Sequence, residues 1–183
     1  MRILRRLGSE LGVLVLWLTH FLPMRWIGAI GSGLGWLLYQ FGRGHVTRVN
    51  LALCFPEMGE RERYDLGLKH FRMLGRNAVE LSIMVWGSER QLLELIRVEG
   101  IEHLHAAAAN RHPVIALAPH FIGLNMGGIR VARDYPGTAS IYSRQKNPVL
   151  DRIFLTARTR FGSPHLVSRQ EGCLLYTSPS PRD

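Results

Sequence analysis

A chain of 183 residues, 46% of them apolar, can hold one domain with a real core, or part of a larger one, and is too apolar for a disordered protein. Its net charge of +9 rests almost wholly on arginine, since Lys69 and Lys146 are the only lysines, which suits an acidic partner or an anionic membrane surface. No zinc spacing, basic helix or aromatic RNA-binding motif accompanies that charge, so no nucleic acid is expected, and Cys54 and Cys173 form no metal or redox motif.

The amino terminus reads as a membrane-associated element. After "MRILRR" comes Leu11–Met24 without a charge, and past Arg25 a second uncharged run, Trp26–Gly42, closed by Arg43. Each run is shorter than the roughly 20 residues of a straight span. Together they predict one long, tilted helix or a shallow helical hairpin in the membrane interface. Trp17, Trp26 and Trp36 suit the headgroup boundary, and the flanking arginines suit a cytoplasmic leaflet. A buried pair of soluble helices and a signal peptide are the other readings, although no small-x-small cleavage site follows.

From Arg43 to Glu99 the pattern becomes amphipathic and helical. Within "RERYDLGLKHFRMLGRNAVELSIMVW" (Arg61–Trp86), Tyr64, Leu68, Phe71, Leu74 and Ala78 recur at spacings of three and four, one apolar stripe expected to be core. Ile101–Asn110 predicts a short helix and "PVIALA" (Pro113–Ala118) a fully buried strand. Gly123 to Tyr135 should be a turn and helix, and Thr138–Tyr142 the next strand. Asn147-Pro148 gives a cap with proline in the first turn, opening a helix in "NPVLDRIFLTARTRFG", and His165–Ser168 would be a third strand. Alternating strands and helices predict a parallel α/β sheet with right-handed crossovers. The closing "CLLYTSPSPRD" (Cys173–Asp183) resembles a translated sequencing adapter, so the native sequence is expected to stop near Gly172 and the rest of the protein to be missing. A native Ser/Pro-rich terminus is the other reading.

The chemistry falls on "APHFIGLN" (Ala118–Asn125), where the predicted buried strand stops. In open α/β sheets ligands bind beyond the carboxyl ends of the strands, and His120 stands two residues past one. An imidazole with a pKa of about 6.5 can accept a proton at neutral pH. Usually a carboxylate accepts its Nδ1 proton, fixes the tautomer and stabilises the imidazolium. The position that could supply one holds Asn125. Its amide oxygen can still accept a hydrogen bond but cannot neutralise an imidazolium. On the residues alone, a structural histidine remains the equal alternative.

The surroundings of His120 resemble those of the lipid A biosynthesis acyltransferases, the late lauroyl and myristoyl transferases of Gram-negative bacteria. The family's His-x4-Asp/Glu motif falls on His120 and Asn125. "NLALCFPE" (Asn50–Glu57) and "YSRQKNPVLDRIFLTARTRFG" (Tyr142–Gly162) match two further family stretches, and the resemblance runs from Met1 to Gly172. It implies a membrane anchor over residues 1–43 and the amino-terminal part of a glycerolipid-acyltransferase-like domain over 44–172, while the adapter-like string marks 173–183 as an expected non-native tail. It also implies transfer of a fatty acyl chain from acyl carrier protein to a hydroxyl of a lipid A precursor, at the cytoplasmic side of the bacterial inner membrane, with neither metal nor cofactor. By the same resemblance His120 would be the base, and Arg158, Arg144 and Arg160 would lie near the thioester oxygen or substrate phosphates. A solvated helix face is the alternative for each arginine, and the better one for Arg160. Glu57 and Asn50 are expected to hold a turn, and His103, His105 and His112 to lie on the surface. Asn125 departs from the family's acid, so impaired activity is expected. A glycerolipid (lysophosphatidate-type) acyltransferase and a non-catalytic membrane lipid-binding homologue are the competing functions.

Overall fold

The computed structural model describes residues 2–109, 114–135 and 137–171. Asn110, His112, Pro113 and the tail with Cys173 lie outside the described residues. The chain divides into two compact units. One takes residues up to Glu10, Glu89–Leu117 and everything from Leu124 onward, and the other takes Leu11–Ser88 and Ala118–Gly123.

Helix α1 (Arg2–Thr19) ends where the Thr19 hydroxyl donates to the Leu16 carbonyl at 2.6 Å. Pro23 then stands at the N-cap of α2 (Met24–Leu38), its carbonyl accepting from the Trp26 N–H at 2.9 Å. Proline has no N–H to extend a preceding helix, so the two apolar runs form two helices and not one long one. At 1.5 Å per residue α2 is about 22 Å long, against a hydrocarbon core of about 30 Å. No helix among the described residues is long and apolar enough to cross a membrane, which corrects the expectation of one long, tilted membrane helix. The apolar face of α1 is nonetheless bare: Leu7, Leu11, Leu14 and Leu18 are all exposed.

In the Leu11–Ser88 unit, a π-helical turn at Tyr39–Arg43 leads into α3 (Gly44–Cys54), which closes within "NLALCFPE", and α4 (Glu60–Trp86) follows. The Phe55 N–H bonds the Leu51 carbonyl at 2.9 Å and the Met58 N–H bonds the Phe55 carbonyl at 3.1 Å, so Glu57 lies in a turn as expected, whereas Asn50 lies within α3. Helix α4 spans almost the range anticipated, but its buried face differs. Leu74 and Ala78 of the expected stripe are exposed, while Gly67, Phe71, Gly75 and Val79 are buried. The reason is backbone contact with α2. A Cβ on Gly75 would run into the Gly31 carbonyl oxygen and the Gly35 nitrogen, and one on Gly35 into the Phe71 carbonyl. Glycine lets the two helices approach this closely. Beside that contact Ile27, Val79 and Ile83 form a core with Leu22 and Met24 against it. Ile27 and Ile83 are wholly buried, which contributes about 1.5–3 kcal/mol each. Tyr39 completes this side by donating its hydroxyl proton to the Tyr64 carbonyl at 3.0 Å.

The other unit contains α5 (Glu89–Leu95), α6 (Ile101–Ala109), α7 (Leu124–Asp134), β1 (Ala139–Tyr142), α8 (Pro148–Thr159) and β2 (His165–Ser168). Strands β1 and β2 fall where the sequence places them and pair in parallel, with Ala139 opposite His165 and Tyr142 opposite Ser168. Ile129 and Ala132 of α7 and Val149, Ile153 and Ala157 of α8 are buried. As anticipated, Asn147 caps α8: its Oδ1 accepts from the N–H groups of Val149 at 3.0 Å and Leu150 at 3.5 Å. Its Nδ2 donates to the Ser9 hydroxyl at 2.8 Å. Residues 114–118 correct the expectation of a buried strand. They form no regular element, and Ile115 and Leu117 are 97% and 95% exposed. A strand exists through its pairing, and among the described residues β1 pairs only with β2.

Candidate active site

His120 belongs to the Leu11–Ser88 unit through the short segment Ala118–Gly123. It is exposed and does not follow a strand. The Phe121 N–H bonds the Pro119 carbonyl at 2.7 Å, which makes His120 the middle residue of a three-residue turn. Gly123 then takes a left-handed φ of 92°, a conformation that glycine adopts without a Cβ penalty. Helix α7 begins at the next residue, so Asn125 sits in its first turn.

Asn125 is partly buried and does not stand alone. Its Oδ1 accepts from both Nε of Arg158, at 3.2 Å, and Nη2, at 2.9 Å. Arg158 occupies the last turn of α8 and is itself half-buried. Its guanidinium carbon lies 5.8 Å from the ring centre of Tyr142 at the end of β1, and 5.9 Å from that of Phe154 one helical turn back. Both separations suit attraction between a cation and an aromatic face. Burial lowers the Arg158 pKa from its ordinary value, against the raising influence of Tyr142 and Asp151. A guanidinium starts so high that it stays charged at neutral pH. Asn125 of α7, Tyr142 of β1 and Phe154 of α8 thus surround one half-buried cation, Arg158.

The other expected arginines stand differently. Arg144 is exposed just past β1. Arg160 is exposed after α8, with its guanidinium 4.6 Å from the Phe161 ring centre, and burial lowers its pKa too. Of the candidate residues the structure brings together Asn125 and Arg158. Tyr142 and Phe154 were not singled out in the sequence. The four-residue step from Phe154 to Arg158 was the available signal, since such pairs face each other on a helix. His103 and His105 are exposed, as expected. Among the described residues no three His, Cys, Asp or Glu side chains gather as metal ligands would.

Comparison with known proteins adds a lineage. A family model described as bacterial lipid A biosynthesis acyltransferase matches residues 1–175. A lipid A biosynthesis lauroyltransferase of Escherichia coli is 32% identical over 152 residues, covering 82% of this chain and 49% of the relative. A lipid A biosynthesis myristoyltransferase of the same organism is 26% identical over 167 residues, 90% of this chain and 51% of the relative. A lipid A biosynthesis acyltransferase of Haemophilus influenzae is 29% identical over 143 residues, 76% of this chain and 45% of the relative. The chain therefore spans about half the length of the curated relatives it matches. No solved structure matches significantly. With the family model running almost from end to end, this chain belongs to the bacterial lipid A biosynthesis acyltransferases.

Proposed function

We propose that the chain serves transfer of a fatty acyl group from acyl carrier protein to a hydroxyl of a lipid A precursor in lipopolysaccharide biosynthesis. Family membership over residues 1–175, with His120 held in "APHFIGLN", is the observation that carries this reading. In it, His120 Nε2 takes the proton of the acceptor hydroxyl, on a 3-hydroxyacyl chain already attached to the disaccharide. The freed oxygen attacks the thioester carbonyl carbon. The carbon–sulfur bond then breaks, and the leaving thiolate recovers the proton from the imidazolium. An ester and a free carrier thiol result, with no covalent enzyme intermediate. Asn125 occupies the position that orients the imidazole, and Arg158, with Arg144 and Arg160 further out, supplies positive charge for the thioester oxygen or substrate phosphates.

Membrane attachment belongs to the same reading, at the cytoplasmic face of the bacterial inner membrane. The bare leucine face of α1, with Arg6 exposed beside it, supports a helix lying in the interface plane.

The test is a chimera in which this chain replaces the matched half of the Escherichia coli lauroyltransferase, assayed for transfer from acyl carrier protein. With Asn125→Asp it should transfer, and adding His120→Ala should lower the rate about 10²–10⁴-fold. With Asn125 retained, the rate should fall by up to about 10⁴-fold, as the same exchange does in a serine-protease triad. Equal output with and without the imidazole refutes the base. A chimera that takes lysophosphatidate and refuses the lipid A precursor belongs with the glycerolipid acyltransferases. Asn125 itself favours a second reading, a lipid-binding homologue without catalysis, which would bind lipid and transfer nothing even with Asn125→Asp.

A further inference from the structure

The polar contact that ties α7 to α8 has a direction. A guanidinium carries only donors, so the group facing Arg158 must be the oxygen of the Asn125 amide and not its nitrogen. Turning the amide over would set N–H against N–H and lose both bonds. Arg158 cannot easily yield instead, because the Tyr142 and Phe154 rings flank it and Ile153 and Ala157 anchor its helix in the core.

We propose that Arg158 is a positioning residue that sets the hydrogen-bonding sense of position 125: it takes the Asn125 oxygen and leaves only Nδ2–H groups for any partner on the other side of the amide. The bond to the arginine is a property of the chain alone. Its catalytic meaning rests on the reading of His120 as base. A base needs its proton on Nδ1 and a bare Nε2, and so needs an acceptor beside Nδ1. An amide that offers only donors on its free side cannot supply that acceptor. With an acid at position 125 the carboxylate would still take the arginine bonds and keep lone pairs on its oxygens to accept on the other side. Arg158 thus makes the choice between amide and acid decisive.

Two measurements test this. In the 183-residue chain, the Nε–H of Arg158 is followed by nitrogen-resolved NMR for exchange with water. We expect protection of at least about tenfold that survives Asn125→Asp and vanishes in Asn125→Leu, which keeps the volume and removes the acceptor. An Nε–H equally labile in all three chains overturns the proposal, as does protection that persists in Asn125→Leu. In the chimera carrying Asn125→Asp, Arg158→Gln should lower kcat at least about tenfold with KM little changed, because an orienting contact acts on the chemical step. A raised KM with unchanged kcat overturns the positioning role and leaves Arg158 with the proposed substrate contact alone. Failure of the Asn125→Asp chimera to transfer would count against the acyltransferase reading, while the exchange measurement judges the arginine contact independently.

Discussion

Where α2 meets α4, backbone meets backbone. Gly31, Gly35 and Gly75 leave no space for a single added carbon, and the neighbouring contacts are apolar. Where α7 meets α8, buried Ile129 and Ile153 share the work with polar atoms: Asn125 takes two bonds from Arg158, and Asn147 caps α8. The first pair fails when volume is added, and polarity hardly enters. The second tolerates some change of volume and fails when one partner of a polar contact is removed. A scaffold can be built on the first principle. A site that must offer particular donors and acceptors requires the second.

The contrast can be broken most directly at Gly75. Gly75→Leu should lower the unfolding free energy by about 3 kcal/mol or more in urea denaturation followed by circular dichroism, because the side chain meets backbone that cannot rotate aside. A loss under about 1 kcal/mol would mean the helices slide apart freely, and the comparison would fail. Asn147→Ala should cost about 1 kcal/mol by removal of the cap acceptor, and Asn147→Asp distinctly less. If the alanine variant is as stable as the parent, polar ties do not hold that region.

The smallest effect is expected at Asp134, where α7 ends. Burial works to raise its pKa, but hydrogen bonds from Arg130 and Arg133 outweigh it and hold the carboxyl below its ordinary value. Such a group stabilises the folded chain fully above the unfolded pKa, and the contribution is lost as pH falls through the folded one. The urea midpoint of the native chain should therefore decline below about pH 4 more steeply than that of Asp134→Asn. Parallel pH profiles would show that these partly buried arginine contacts contribute nothing, as is common for ion pairs near the surface.

Local signals were read well in the sequence. The residues of β1 and β2, the length of α4 and the Asn147 cap were all legible, because each depends on period or on a side chain within three residues. The buried face of α4 was not. Counting apolar side chains selects Leu74 and passes over Gly75, yet the contact with α2 turns on the absence of a side chain. The apolar run at Val114–Ala118 has the composition of a core strand, but composition supplies no pairing partner. In the candidate site, His120 and Asn125 were candidates through family resemblance, their spacing alone being a weak signal. That Arg158 bonds Asn125, 33 residues earlier in sequence, depends on how α7 packs against α8, which spacing does not encode.

The asparagine that starts α8 spends both ends of its amide, the oxygen on the helix and the nitrogen on Ser9. Asparagine ages when the following backbone nitrogen attacks the side-chain carbonyl, expels ammonia and leaves a carboxylate. Here the next residue is Pro148, whose ring nitrogen carries no hydrogen to begin that cyclisation. The hydrogen bond between Asn147 and Ser9 is thereby shielded from slow chemical decay.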